Sequence, residues 1–319
     1  MYHRIADPES DIWSIAVSPD NFEQHLKMLQ KTGNVVPLDL LAEGINSHSM
    51  PRNSIAITFD DGYNDNFTVA RPLLEKYNLP ATFFITSGNL GGKKEFWWDD
   101  LEYHLLFAQR LPAFFSLLIN DQLIESELQE ETFLTEEIRK KHISWDACIE
   151  EPPTKRAALF FKLWQHLKVL PDIAQQQYLE KIKNWTALQI STRQECASMS
   201  VSDLKQLVEN NLFTIGAHTV NHPALAYHSP EFQKKEMLEN RKFLQEITGQ
   251  EINLIAYPYG NYNEDTLMMA ADAKFEAAFT TEEKVVQAQS LKYNLGRFQV
   301  KNWNGNELGK FLKSCFNNY

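Results

Sequence analysis

Cysteine is scarce in this chain, and long apolar runs are absent. The three cysteines, Cys148, Cys196 and Cys315, are odd in number and widely spaced, which excludes a disulfide framework and cysteine-based metal spacing. The longest uncharged apolar stretches, such as residues 111–119, are far shorter than the ~20 residues that span a bilayer, so no transmembrane segment is expected. Residues 1–7 lack the apolar core of a signal peptide, which predicts a cytoplasmic location.

Positive charge is also in deficit. The chain has 42 acidic and 31 basic residues, giving a net charge of −11, and contains no run of Lys or Arg suited to a phosphate backbone. Nucleic acid is therefore excluded as an expected partner. The 319 residues are 43% hydrophobic, which is enough to bury a sizeable core in one large α/β domain or two smaller ones.

Two carboxylates lie at the end of a predicted β-strand. Residues 54–59 form an apolar run rich in β-branched and aromatic side chains, which is typical of a buried strand, and Asp60, Asp61 and Gly62 follow it directly. On turn chemistry alone, an Asp-Gly pair after a strand is also an ordinary hairpin turn. This motif by itself leaves both interpretations open.

Two histidines lie four residues apart where the chain leaves a second predicted strand, residues 212–216. The spacing of His218 and His222 would suit a solvated helix face, but Pro223 disfavours the α conformation at His222, so the pair belongs to a loop or a first turn. Two imidazoles and one carboxylate form a ligand set typical of catalytic zinc, and a second carboxylate can act as a base. Together the two segments indicate a metal-assisted hydrolase.

The combination resembles the polysaccharide deacetylases, the NodB-homology or carbohydrate esterase 4 family. Their motif T-F-D-D-G is matched by Thr58–Gly62, their motif H-[ST]-x-x-H-P by His218–Pro223, and R-x-P-[YF]-G in part by Ala256–Gly260. The similarity extends over residues 1–90 and 198–305.

The resemblance implies a role for each matched residue. Asp61, His218 and His222 would bind one divalent metal ion, with zinc expected and cobalt, nickel and iron as alternatives. Asp60 would be the catalytic base, and the backbone N–H of Tyr259 would stabilise the oxyanion that forms during amide hydrolysis.

Strands and helices alternate on both sides of a long interruption. Alternation of this kind predicts a parallel sheet with chemistry at the strand C-terminal ends, and the resemblance implies a distorted (β/α)7 barrel of NodB-homology type. Residues 1–90 and 198–319 are predicted to form this barrel. Residues 91–197 are predicted to be a mostly helical insertion that serves as a substrate-binding or lid region. Residues 293–300 are predicted to include a late strand.

Two departures from the family pattern need replacements. The arginine that pairs with the base is replaced by Ala256, and Arg297 is a candidate either for that role, for substrate binding or for an ordinary surface position. The late histidine that acts as general acid is also missing, since no histidine follows His228. His3, at the end of a short apolar segment, is a candidate for that acid, with a hydrogen-bonded structural histidine as the alternative.

The substrate is the least determined feature. The resemblance implies an N-acetylated glycan, or a lipid- or nucleotide-linked sugar precursor, as the partner. Trp97 and Trp98 are predicted to bind the sugar by stacking, with core packing as the competing interpretation. Alternatives for function are hydrolysis of a non-sugar amide on the same fold, or a catalytically inactive carbohydrate-binding relative. The sequence does not predict the oligomeric state.

Overall fold

The computed structural model of the chain describes residues 1–47, 53–91, 94–188 and 193–317. The chain divides into two compact units. The first unit contains Met1–Asp7, Ile15–Lys93 and Ala197–Tyr319, and the second contains Pro8–Ser14 and Lys94–Cys196. These bounds lie within a few residues of the predicted barrel and insertion, except that the second unit also includes a short segment near the N-terminus.

The strands are short, and most of them belong to the first unit. In chain order they are β1 (Arg4–Ile5), β2 (Ala16–Val17), β3 (Asn34–Val35), β4 (Ser54–Ile55), β5 (Ile57–Phe59), β6 (Ala81–Ile85), β7 (Phe114–Ile119), β8 (Gln122–Glu127), β9 (Phe213–Ala217), β10 (Leu254–Ala256) and β11 (Ala277–Phe279). Five of them form one sheet in the order β11-β10-β9-β6-β5, and every pair in it is parallel.

The helices connect these strands or build the second unit. In chain order they are α1 (Pro19–Thr32), α2 (Leu38–Ser47), α3 (Arg71–Tyr77), α4 (Trp97–Glu102), α5 (Glu136–Ser144), α6 (Lys155–Leu167), α7 (Asp172–Thr186), α8 (Val201–Leu207), α9 (Pro230–Thr248), α10 (Glu264–Asp272) and α11 (Gly305–Asn317).

Local sequence signals account for the predicted helix ends. Ser18 caps α1 by accepting the N–H of Asn21 at 3.2 Å, with Pro19 in the first turn, and Ser200 forms a capping box with Asp203 at the start of α8. Helix α9 ends at Gly249, whose φ of 68° is the left-handed conformation that glycine adopts without strain.

The core of the first unit lies against the five-stranded sheet. Phe59 of β5 stacks on Phe83 of β6 at a centroid distance of 4.8 Å, and Phe83 meets Phe213 of β9 edge to face at 5.6 Å. All three side chains are buried, and aromatic contacts of this kind add to the free energy of apolar burial. The cross-strand packing fixes the register in which the strand ends meet.

The N-terminal segment extends the edge of the sheet beside β5. Tyr2 donates its N–H to Thr58 O at 2.8 Å and accepts the N–H of Asp60 at 3.0 Å, so it pairs as a further parallel strand position. On its other side, Val300 donates its N–H to Met1 O at 3.0 Å. The segment with His3 therefore lies next to the strand that carries the two carboxylates.

The late strand predicted within residues 293–300 is not a regular strand. Leu295 forms a single parallel bridge with Phe279, and its N–H bonds Ala278 O at 2.9 Å. Gly296, which follows it, has no side chain to pack, and such residues interrupt strand pairing. The prediction was wrong in secondary structure, although this segment does lie beside β11.

The second unit contains helices α4 to α7 and one antiparallel hairpin, β7–β8, joined through Asn120 and Asp121. Both of these residues have positive φ, at 45° and 62°, as a type I′ hairpin turn requires. The hairpin was not anticipated, because its apolar residues were grouped with the surrounding helix-forming sequence. Among the residues that the structure describes, none of the helices has both the length and the apolar composition needed to cross a bilayer.

Candidate metal centre and active site

Asp60 and Asp61 follow β5 directly, and both side chains are buried. Asp61 has a φ of 72° and Gly62 a φ of 90°, so the chain turns sharply in a region that is uncommon for residues other than glycine. A residue held in this conformation inside a buried turn is a signal of function. Within the turn the side chains no longer alternate between the two faces as they do in a strand, so each carboxylate has its own orientation.

His218 and His222 approach the carboxylate of Asp61. The Nε2 atom of His218 lies 3.3 Å from Asp61 Oδ1, and Nε2 of His222 lies 3.2 Å from the same oxygen. One ligand atom from each of the three residues lies within 4.8 Å of the others, and all three residues are buried. His222 has a φ of 56°, outside the right-handed helical region, as Pro223 predicted.

The donor set fits a divalent cation. Nδ1 of His218 is 2.8 Å from Ala256 O, and because a carbonyl only accepts, this nitrogen carries the proton. When Nδ1 carries the only proton of the ring, Nε2 directs a lone pair at Asp61 Oδ1, so two acceptors face each other at 3.3 Å. A cation between them removes that repulsion, and a carbonyl-anchored histidine is the usual partner arrangement of a metal ligand.

The charges of Asp61 and His222 agree with this interpretation. Burial raises the pKa of Asp61, but the adjacent imidazoles of His218 and His222 outweigh it and hold that pKa well below its ordinary value. Burial lowers the pKa of His222 despite the nearby Asp61 carboxylate. A carboxylate and a neutral imidazole are the protonation states that metal binding requires.

Arg297 supplies the partner that Ala256 cannot provide. Its Nη1 donates to Asp60 Oδ1 at 2.7 Å and its Nη2 donates to Asp60 Oδ2 at 2.6 Å, while Nε donates to Thr280 O at 3.1 Å. This is a buried, bidentate pair, the geometry for which guanidinium is suited. Since all three guanidinium nitrogens are engaged, the contacts favour the pairing role over substrate binding.

The pair controls the ionisation of Asp60. Burial raises the pKa of this carboxyl, but the positive charge of Arg297, with smaller contributions from His218 and His3, brings it below its ordinary value. Asp60 is therefore ionised at neutral pH, which a general base requires.

Replacing Arg297 with methionine should move the acidic limb of the pH–activity profile. Without the guanidinium, the largest influence that offsets burial is lost and the pKa of Asp60 rises, so the base becomes protonated at a higher pH than in wild type. The measurement is kcat/KM against pH. Arg71→Met, which removes a cation paired with Glu75 on α3, should leave the limb in place. If the acidic limb of the Arg297 variant falls at the same pH as that of wild type, Arg297 does not set the ionisation of Asp60.

Tyr259 lies in the turn that follows β10. Its φ is 57° and that of Gly260 is 61°, and its ring meets His222 edge to face at a centroid distance of 4.5 Å. A Cβ at Gly260 would lie 2.8 Å from the backbone nitrogen of Thr281, so glycine is needed for this close approach. The matched part of the third motif thus lies beside a candidate metal ligand, His222, and its role in stabilising an oxyanion stays a prediction.

His3 is placed among the site's charges by the N-terminal segment. Burial lowers its pKa, while the carboxylates of Asp61 and Asp60 oppose that shift. Its Nδ1 atom is buried and makes no hydrogen bond within the described part of the chain. Asn66 donates its side-chain N–H to His3 O at 2.7 Å and so holds the backbone of this residue. The general-acid role of His3 stays a prediction.

Trp97 and Trp98 begin α4 in the second unit, and each is 5% exposed. Their rings meet edge to face at 5.8 Å, and Trp98 stacks on Phe96 at 4.5 Å. These contacts agree with core packing, the alternative to sugar stacking, because a ring enclosed by neighbours has little free face for a sugar. Contact with a substrate stays a prediction for both residues.

Two site residues were missed, Glu236 and Asn240 on α9. Asn240 Oδ1 accepts the N–H of His218 at 3.1 Å, and its side-chain N–H donates to Ile85 O at 3.1 Å, which joins the ends of β9 and β6. The signal in the sequence is their spacing of four, since residues four apart share one face of a helix. Two polar residues on a buried face indicate bonds to neighbouring backbone.

Comparison with known proteins agrees with these motifs. A family model for polysaccharide deacetylases matches residues 47–104 and 177–278, which is half of the chain and includes both segments with the candidate metal ligands. The chain belongs to the polysaccharide deacetylase family. The predicted family membership is therefore confirmed, and the stretch between the two matched segments, residues 105–176, lies within the second unit.

A curated relative in this family aligns with nearly the whole of this chain. This relative is YxkH of Bacillus subtilis (strain 168), which is named as a polysaccharide deacetylase. The two sequences are 22% identical over 317 residues, which cover 98% of this chain and 75% of YxkH.

Two solved structures of similar fold are the Streptococcus pyogenes deacetylase PplD in complex with acetate and a de-N-acetylase from Aggregatibacter actinomycetemcomitans. PplD has a TM-score of 0.60 and 19% identity, with 98% of this chain and 96% of PplD covered. The de-N-acetylase has a TM-score of 0.58 and 16% identity, with 98% and 97% covered. The predicted NodB-type α/β fold is confirmed, with a curled half-barrel of five parallel strands.

Proposed function

We propose that this chain is a metal-dependent deacetylase that hydrolyses the N-acetyl group of an amino sugar in a glycan or glycan precursor. The observation that carries the proposal is the buried set of Asp61, His218 and His222 beside a second carboxylate, Asp60, paired with Arg297. A ligand set with an adjacent ionised base is what amide hydrolysis needs. Family membership supports a sugar substrate.

Asp61, His218 and His222 would hold the cation. A divalent ion bound there supplies Lewis-acid chemistry, lowering the pKa of water toward ~7 and polarising a carbonyl oxygen. Zinc suits two imidazoles and one carboxylate, and cobalt, nickel and iron suit them also.

Asp60 takes a proton from the attacking water. Its low pKa keeps it ionised, and the two bonds from Arg297 fix its orientation while leaving lone pairs on both oxygens. The backbone N–H of Tyr259, in a turn held by its left-handed φ, donates to the oxyanion that forms on the acetyl carbon. A donor fixed by the backbone needs no reorganisation during the reaction.

His3 donates a proton to the departing amine nitrogen. The proposal rests on the position of His3 within the field of Asp60 and Asp61, and on its buried Nδ1 atom without a hydrogen bond in the described residues. A proton donor at this point is needed because an unprotonated amine leaves poorly from the tetrahedral carbon.

The His3→Ala variant should lower kcat on an amide by ~10² to 10⁴-fold, the usual contribution of a general acid. An acetate ester whose leaving group needs little protonation should lose much less, and metal content should not change. Because the acid works only when protonated and burial lowers its pKa, wild-type amide hydrolysis should decline at a lower pH than an ordinary histidine would give. Equal losses on amide and ester would remove His3 from this role and make His228 the next candidate.

Acetate release from a panel of N-acetylated sugars, with and without a chelator, tests the proposed function. We expect release from at least one amino sugar, loss of release in the chelator, and recovery on adding zinc or cobalt. Release that the chelator does not affect would contradict metal dependence. Hydrolysis of simple amides without any sugar substrate would favour a non-sugar amidase, and binding of sugars without release would favour an inactive relative.

A further inference from the structure

The loop between the two histidine ligands has an unusual backbone. Thr219 has a φ of 64° and His222 a φ of 56°, both in the left-handed region that residues with a Cβ rarely adopt. Such a conformation persists when surrounding contacts determine it. The loop therefore needs external support to keep the two imidazoles in place.

Glu236, on α9, contacts this loop at three points. Its Oε2 accepts the N–H of Val220 at 2.9 Å and the N–H of Asn221 at 2.9 Å, and its Oε1 accepts the side-chain N–H of Asn221 at 2.8 Å. In all three bonds the carboxyl oxygens act as acceptors, and Glu236 is buried, where such bonds are stronger than in water.

The opposite side of the loop is held by the chain after β6. Gly88 donates its N–H to Val220 O at 2.7 Å, and Ser87 donates its N–H to Thr219 O at 3.3 Å. A Cβ at Gly88 would lie 2.7 Å from Val220 O, so this contact depends on glycine. Val220 is thus bonded through its N–H to α9 and through its carbonyl to the β6 side.

We propose that Glu236 is a positioning residue for the metal ligands: it sets the separation of His218 and His222 and so determines the affinity of the site for its cation. The inference rests on the metal site of the proposed function. Without the carboxylate, the two part-buried backbone donors of Val220 and Asn221 would lose their acceptor, and the loop would shift to reach water. Residues that orient metal ligands typically change metal affinity by 10–100-fold when they are replaced.

The experiment compares Glu236→Ala and Glu236→Gln with the control Glu239→Ala, which removes an exposed carboxylate from the same helix. Each protein is stripped of metal, and its Kd for Co²⁺ is measured from the cobalt absorption spectrum and from competition with a chelator. The melting temperature of each metal-free protein is measured in parallel. We expect a Kd raised ~10–100-fold in Glu236→Ala, a smaller rise in Glu236→Gln, and no change in Glu239→Ala.

The outcomes separate the inference from the proposed function. Wild type that binds no cobalt would overturn the metal site and the inference with it. Wild type that binds cobalt, with a Glu236→Ala variant of the same Kd, would overturn the inference alone, and a lowered melting temperature with unchanged Kd would assign Glu236 to fold stability. Should Glu236→Ala not fold, Glu236→Gln decides in the same way, because its side chain keeps the shape and loses the charge.

Discussion

Asp60→Asn is expected to lose turnover by ~10² to 10⁴-fold or more while keeping its metal. The amide of asparagine has nearly the same shape as the carboxylate but cannot take a proton from water at neutral pH. Asp60 is bonded to Arg297, whereas the two histidines face Asp61, so the metal ligands should be unaffected. Acetate release and elemental analysis of the same preparation measure both results.

Asp61→Asn is the matched control for this prediction. It makes the same chemical change at the neighbouring position and should weaken metal binding, because it removes the negative charge that the two imidazoles face. An Asp60 variant that loses its metal beside an Asp61 variant that keeps it would mean that the two carboxylates have exchanged roles.

The His218→Ala/His222→Ala double variant is expected to carry no divalent metal and to show no acetate release. It removes two of the three ligands and leaves one carboxylate, which cannot hold a cation in competition with water. Elemental analysis after dialysis measures the metal, with wild type expected to hold about one ion per chain. The buried cavity left behind is also expected to lower the melting temperature.

His166→Ala controls for the loss of an imidazole as such. This residue lies in the second unit, where it bonds Lys162 O and Gln122, and its replacement should leave metal content and activity at wild-type levels. Full metal occupancy in the double variant, or an absence of metal in wild type, would contradict the assigned ligands.

The chemistry-bearing residues were largely readable from the sequence. Both motifs are local: each begins with an apolar run that predicts a strand and ends with polar residues where that strand stops. Because parallel strands carry their C-terminal ends to one edge of a sheet, the two motifs were expected to meet although ~160 residues separate them. The proximity of Asp61 to His218 and His222 agrees with that expectation.

The helix ends were equally local. A capping serine, a proline in the first turn and a glycine after the last turn satisfy backbone groups within a few residues of themselves. Helices α1, α8 and α9 could be predicted for that reason. The hairpin in the second unit could not, because its strands carry no alternation that separates them from the surrounding helical sequence.

The partner of Asp60 and the support of the ligand loop were decided by the tertiary structure. Arg297 reaches Asp60 across 237 residues, from a segment that forms a single strand bridge, and Glu236 supports Val220 from a separate helix. Sequence spacing predicts which residues share a strand or a helix face, but the distance between side chains on different elements depends on how those elements pack. The sequence by itself therefore predicted the candidate ligands and the candidate base, while the fold determined which groups set their charge and orientation.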